Sequence, residues 1–64
     1  MIDLYRLHAL CRKKGLSFSL EYSEIEDTWY ASAYAIGEFH EIKRCSTLGL
    51  AIKRLTDRLK EEDR

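Results

Sequence analysis

The side chains able to do covalent or metal chemistry in this chain are His8, Cys11, His40 and Cys45. Nucleophilic catalysis needs a nucleophile or titratable pair held beside an orienting group, and a structural zinc site needs four nitrogen or sulfur ligands. His8 and Cys11 stand three apart in a segment that reads as a helix, while His40 and Cys45 fall within and just after a strand. That spacing matches no familiar zinc module. Cys11 lies on an apolar stripe and Cys45 precedes a helix cap, so small buried thiols are the plainer reading. The sequence has neither a glycine-rich phosphate loop nor a nucleophile elbow. The expectation is a protein without enzymatic activity, catalytic residue, metal or cofactor.

Recognition chemistry is better represented. In Thr28 to Gly37, TWYASAYAIG, the alternation of a strand puts Trp29, Ala31, Ala33 and Ala35 on one face and Tyr30, Ser32, Tyr34 and Ile36 on the other. A row of alanines beside a tryptophan gives helices room to approach a sheet, so that face is expected to be buried. Tyr30 and Tyr34, with Ser17, Ser19, Glu21 and Ser32 around them, then belong to an uncovered face. Tyrosines among serines resemble the centre of a protein interface, although cross-strand tyrosines also simply stiffen a sheet. Aromatic residues on a sheet can stack single-stranded bases, but the neighbouring acids oppose that use.

The formal net charge is zero, yet it is unevenly spread. Between Gly15 and Ile42 there is no Lys or Arg, and Glu21, Glu24, Glu26, Asp27, Glu38 and Glu41 supply six acids. Both ends are net positive: Arg6, Arg12, Lys13 and Lys14 precede the acidic middle, and Lys43, Arg44, Lys53, Arg54 and Arg58 are among the cations that follow it. A two-sided field of this kind orients encounters with charged partners without a net charge. Solvated helix faces are the ordinary reading of such cations, but helices lying side by side would gather several into one patch able to meet an acidic protein or a nucleic-acid backbone.

Sixty-four residues, 45% hydrophobic and 34% charged, make one globular domain over residues 1–64. At this size a chain buries only about 60% of its unfolded surface, which leaves little core for an enclosed pocket. No apolar run is long enough for a membrane span. The opening MIDLYRLHALCRKKG mixes charges among its apolar residues, unlike a signal peptide, so a cytoplasmic location with reduced cysteines is expected.

The elements that must position these groups follow from periodicity. Leu4, Leu7, Leu10 and Cys11 share one helical face over Asp3 to Lys14, with Asp3 at the start, cations in the last turn and Gly15 as the left-handed cap. Leu16 to Ser23 alternates as a strand, Leu16, Phe18, Leu20 and Tyr22 facing the core. Glu24-Ile25-Glu26-Asp27 connects it to the antiparallel Thr28 strand. Gly37 and Glu38 make the next turn, and Phe39 to Arg44 is a third strand in which Phe39 and Ile42 fall on opposite faces. A bulge or irregular start would explain that clash. Ser46 or Thr47 caps a second helix whose Leu48, Ala51, Ile52, Leu55 and Leu59 form one stripe, with Gly49 weakening its first turn and Leu50 off the stripe. Lys53 and Asp57 are spaced to pair, and Glu61 to Arg64 should fray. The fold class is therefore α+β, order α-β-β-β-α, with a three-stranded antiparallel sheet and both helices on one face.

This order, with Leu4, Leu7, Cys11, Lys13, Lys14 and Gly15 in and after the first helix and the Ser46 to Leu59 helix at the end, resembles the double-stranded RNA-binding domain. In that family the first helix, the loop between the first two strands and a lysine cluster opening the last helix meet the RNA. Here the loop is Glu24-Ile25-Glu26-Asp27, which phosphate would repel, and the last helix opens with Leu48-Gly49-Leu50 instead of lysines. The resemblance implies the fold rather than the RNA-binding activity. TWYASAYAI and STLGLAIKRL also look like the sheet and following helix of HicB-type antitoxins, to which the leading helix is foreign.

Together these features describe a small non-enzymatic binding protein, an accessory regulator or inhibitor of the sort phages and mobile elements encode. Its expected partner is another protein, or a second copy paired through the sheet, met by Tyr30, Tyr34, Glu21, Glu24, Glu26 and Asp27. The alternative is nucleic acid, RNA included, bound by Arg12, Lys13, Lys14, Lys43, Arg44, Lys53 and Arg54. No membrane contact is expected.

Overall fold

The structure, a computed structural model, describes residues 2–62, Ile2 in its backbone only. Of the tail expected to fray, Asp63 and Arg64 lie outside the described residues, whereas Glu61 ends a helix that Glu62 caps. The elements are α1 (Ile2–Lys14), β1 (Ser17–Ser23), β2 (Thr28–Ala35), β3 (Glu38–Cys45) and α2 (Leu48–Glu61). The three strands form one antiparallel sheet in the order β1-β2-β3. Both helices pack on the same face, giving the α+β architecture expected.

Helix α1 buries Leu7 and Cys11, with Leu4 and Leu10 partly covered. It stops at Gly15, whose φ of 73° is the left-handed conformation that side-chain-bearing residues avoid. The Gly15 amide donates to the Arg12 carbonyl at 3.3 Å and the Leu16 amide to the Cys11 carbonyl at 2.8 Å, the paired bonds of a Schellman stop. Leu16 is thereby turned into the core, where it is buried. At the start of α2 the Thr47 hydroxyl accepts from the Leu50 amide at 3.1 Å, so Thr47 rather than Ser46 is the cap.

The register assigns the faces. Phe18 pairs with Ala33, Leu20 with Ala31 and Tyr22 with Trp29, while Ala33 faces His40 and Ala31 faces Ile42. These residues form the helix side of the sheet. Ala31 and Ala33 are fully buried in its centre, and their small side chains let Ile52, Leu55 and Leu59 of α2 and Leu7 and Cys11 of α1 close over the middle strand. Helical cover ends before the sheet does. Tyr22, expected in the core, is 48% exposed, Ala35 at the other end is exposed, and Phe18, Leu20 and Trp29 are only partly buried. Leu50, expected off the stripe, packs against the core.

Two sequence expectations change in β3. The turn is Ile36–Gly37 rather than Gly37–Glu38, because Ala35 pairs with Glu38 and Gly37 takes φ 81° at the second turn position. The irregularity lies at the end of β3, not its start. Trp29 pairs with Cys45 and Ala31 with Ile42, so two steps on β2 oppose three on β3, with Arg44 at φ 56°. The extra residue sends Cys45 instead of Arg44 into the core. The expected clash needs no irregularity: over Glu38–Ile42 the pairing is regular, Ile42 and His40 face the helices, and Phe39 belongs to the open face.

Candidate functional site

The open face presents Ser17, Ser19, Glu21 and Ser23 from β1, Thr28, Tyr30, Ser32 and Tyr34 from β2, and Phe39 and Glu41 from β3. It divides into three zones. At the Ile36–Gly37 end, Tyr34 (41% exposed) pairs across the strands with Phe39 (63% exposed), and Ile36 stands fully exposed at the turn. In the middle, Ser19 and Ser32 share a hydroxyl hydrogen bond of 2.8 Å. At the far end, Glu21 pairs with Tyr30, and these two line a depression with Tyr22, Ser23, Glu26 and Glu41.

The loop at that far end is held by its neighbours. The Tyr22 hydroxyl donates to Asp27 Oδ1 at 2.6 Å, and the Tyr30 hydroxyl donates to Glu26 Oε1. Arg44 Nε lies 3.7 Å from the other Glu26 oxygen, and the Glu26 amide donates to Ser23 Oγ at 3.4 Å. Asp27 accepts the positive φ, 53°, that closes the loop, a conformation short polar side chains tolerate better than others. With Glu26 and Asp27 tied down, Ile25 projects 99% exposed beside the exposed Glu24. The hydrogen bond to Asp27 raises the Tyr22 pKa above the ordinary tyrosine value, with burial and the Asp27 charge adding to it. Tyr22 also stacks obliquely on Trp29, ring centres 5.1 Å apart, bracing the loop against the helix side.

All six residues expected to form a partner surface, Tyr30, Tyr34, Glu21, Glu24, Glu26 and Asp27, thus fall on the open face or on the loop that ends it. Phe39, Ile36, Glu41 and Ile25 were not singled out. Pairing β3 with β2 across either two-residue turn would have placed Phe39 on the Tyr34 and Ile36 face, and the Ile36–Gly37 turn sets it directly opposite Tyr34. Ile25 carried a signal too, an apolar residue among three acids.

The basic residues do not form one patch. Arg12, Lys13 and Lys14 end α1 beside the start of β1, at the Ile36–Gly37 end of one sheet edge. Lys43 and Arg44 lie at the opposite end of the other edge, where Lys43 Nζ is 3.5 Å from Glu41 and Arg44 meets Glu26. Lys53 pairs with Asp57 at 3.2 Å, as spaced, in a groove between the helices that Arg6, Lys60 and Asp3 also line. Arg54 Nη1 contacts the buried Cys45 sulfur at 3.8 Å.

The candidate chemical residues are dispersed. His8 lies against Phe18, and buried His40 hydrogen-bonds Glu38 at 2.6 Å. Cys11 and Cys45 are free thiols in the core, and burial raises the Cys11 pKa. Among the described residues no three His, Cys, Asp or Glu side chains are gathered to hold a metal ion, and no helix is long and apolar enough to cross a membrane. The element order is that of the double-stranded RNA-binding domain, but no family model matches the chain, and neither a curated protein nor a solved structure shows significant similarity to it.

Proposed function

We propose that this protein is a non-enzymatic binding module that regulates or inhibits another protein by occupying its surface, using the open sheet face and the acidic loop Glu24–Asp27. The observation that carries this reading is the loop itself. Its Asp27 and Glu26 carboxylates are hydrogen-bonded by Tyr22 and Tyr30 while Ile25 is left projecting. A pre-formed loop loses little conformational freedom on binding, which removes part of the cost of association. The matching surface is an apolar pocket for Ile25 rimmed by Lys or Arg, with the sheet tyrosines supplying amphipathic contact area beside it.

Nucleic acid fits the same face poorly, because Glu21, Glu26 and Glu41 surround Tyr30 where phosphates would run. The test is affinity capture from nuclease-treated lysate of the source organism with the wild-type chain and with Glu24→Ser/Glu26→Ser/Asp27→Ser. A protein retained by the first and lost by the second is the expected result. Retention unchanged by the triple substitution overturns the role given to the loop.

A further inference from the structure

The sheet order β1-β2-β3 leaves β1 and β3 as its outer edges, and the two edges are built differently. A two-residue turn closes on a hydrogen-bonded pair, here Ala35 and Glu38, and such pairs alternate with non-bonded ones from there. Phe39 and Glu41 in β3, and Phe18, Leu20 and Tyr22 in β1, therefore point their N–H and C=O groups outward. On the β3 edge Arg58 of α2 donates to the Glu41 carbonyl at 3.4 Å, the bulge at Arg44 interrupts the ladder, and Glu38, Glu41, Lys43 and Arg44 add charge. Bulges, charges and covering side chains are what keep an edge from pairing. The β1 edge lacks them. Glu21 is its one charged residue, its pairing with β2 is unbroken from Ser17 to Ser23, and among the described residues nothing hydrogen-bonds its outward backbone groups. Phe18 and Leu20 are only partly buried although they face the helices.

An open edge accepts many strands, but the residues of β1 select one. By chemical type SFSLEYS is the same in both directions: Ser17 matches Ser23, Phe18 matches Tyr22, Ser19 matches Glu21, and Leu20 is the centre. We infer that β1 pairs with β1 of a second copy, antiparallel, about a two-fold axis at Leu20, joining the sheets as β3-β2-β1-β1-β2-β3. An isologous contact brings the same residues of both subunits together. Leu20 meets Leu20 at the axis, and Phe18 of each copy lies across from Tyr22 of the other. Ser19, accepting from Ser32, can donate to the Glu21 carboxylate opposite. The neighbouring registers are poorer. Sliding one way sets Glu21 against Glu21; sliding the other way sets Tyr22 against Leu16, which is buried in the core of its own copy.

The helix side agrees. His8 of α1 rests against Phe18, and Tyr5, one turn earlier on the same side of α1, is 72% exposed where the α1 helices of the two copies come side by side. The basic end of α1, next to the start of β1, arrives at the end of the mate's β1 that carries the acidic loop. Both open faces point the same way, and the two Ile25 tips lie at opposite ends of the joined sheet. The dimer therefore doubles the surface proposed above without resting on it.

One strand pair and a helix contact stay below the roughly 800 Å² per partner of a standard stable interface, so the expected dissociation constant is on the order of 100 µM. The test is sedimentation equilibrium of the full chain from low micromolar to millimolar concentration, with amide hydrogen exchange followed by NMR over the same range. The mass should rise from 7.6 kDa toward twice that value. Exchange at Phe18, Leu20 and Tyr22 should slow several-fold with concentration, while Phe39 on the other edge is unaffected. Leu20→Lys and Leu20→Glu each put like charges at the axis and should weaken dimerisation at least tenfold, whereas an equimolar mixture of the two should associate again. Their long stems cover a position that is already partly exposed, and circular dichroism checks the fold; if either variant fails to fold, the wild-type exchange decides alone. A single 7.6 kDa species throughout, a concentration-dependent slowing at Phe39 instead of the β1 amides, or a dimer that both substitutions leave intact overturns the inference.

Discussion

Two glycines give a paired test of how backbone geometry, rather than space, sets local stability. A methyl group added at Gly37 or at Gly49 would meet no atom within 4 Å, so packing predicts no difference between Gly37→Ala and Gly49→Ala. The backbone predicts opposite signs. Gly37 holds φ at 81° in the turn, where an L-residue costs about 1–2 kcal/mol; restricting the unfolded chain returns about 0.5 kcal/mol of that. Gly49 lies in the first turn of α2, where alanine is favoured over glycine by about 0.5–1 kcal/mol. Gly37→Ala should therefore lose about 1 kcal/mol and Gly49→Ala gain about 0.5 kcal/mol. With a urea m-value of about 1 kcal/mol/M for so small a domain, the midpoints should move down by about 1 M and up by about 0.5 M. Thermal midpoints should fall by about 4–8 °C and rise by about 2–4 °C. Equilibrium urea unfolding of the three proteins, with m unchanged, is the assay. A Gly37→Ala midpoint at or above wild type would refute the turn geometry.

Other consequences can be measured on the same preparations. Leu55→Ala removes a fully buried side chain between α2 and the alanines of β2 and should cost about 2–5 kcal/mol, a large part of the roughly 3–10 kcal/mol expected for 64 residues; a loss below 1 kcal/mol in urea would contradict the core assignment. Tyr22 donates to Asp27 only while protonated, so its contribution is present below the ordinary tyrosine pKa and is lost as pH rises through the higher folded value. Ultraviolet titration should then show tyrosine ionisation extending above the ordinary range, and Asp27→Asn should move that late part earlier; a titration curve unchanged by Asp27→Asn would contradict the contact. Cys11 and Cys45 are buried, and Cys11 is held in its thiol form, so a water-soluble disulfide reagent should label neither in the native protein and both in denaturant. Rapid native labelling would show that the core is open.

The parts of the fold that were legible in the residues are those where several local signals agree. The first helix has its stripe, its basic last turn and Gly15 all ending at one place, and the structure adds a Schellman stop at that glycine. The stripe of α2 and the alanines of β2 likewise match in size, which specifies which sheet face the helices take. What was not legible depends on register between strands. Whether the turn is Ile36–Gly37 or Gly37–Glu38 shifts every β2 partner of β3 by two positions, setting Phe39 opposite Tyr34 instead of Ile36 without exchanging faces, and no residue there forbids either. The bulge at Arg44 is specified by the demand that Cys45, not Arg44, enter the core, a tertiary requirement invisible to a strand read alone. Tyr22 has the alternation of a core residue but lies past the reach of the helices, which only the packing reveals. The site followed the same division. Tyr30, Tyr34 and the acids were visible as a face and a loop, whereas Phe39 joined them through the register, and Ile25 became prominent once Glu26 and Asp27 were tied to tyrosines.

The reading of this protein as a module that meets another protein through its acidic loop is tested most directly by a three-way capture. Wild type, Glu24→Ser/Glu26→Ser/Asp27→Ser and Lys13→Glu/Lys14→Glu would be used as bait in lysate with and without nuclease, and the retained macromolecules identified by mass spectrometry and by staining for nucleic acid. The account predicts a protein that survives nuclease, is held by wild type and by Lys13→Glu/Lys14→Glu, and is lost with the serine loop. Recovery of nucleic acid alone, abolished by nuclease and by Lys13→Glu/Lys14→Glu but indifferent to the loop, would contradict it and assign binding to the basic end of α1.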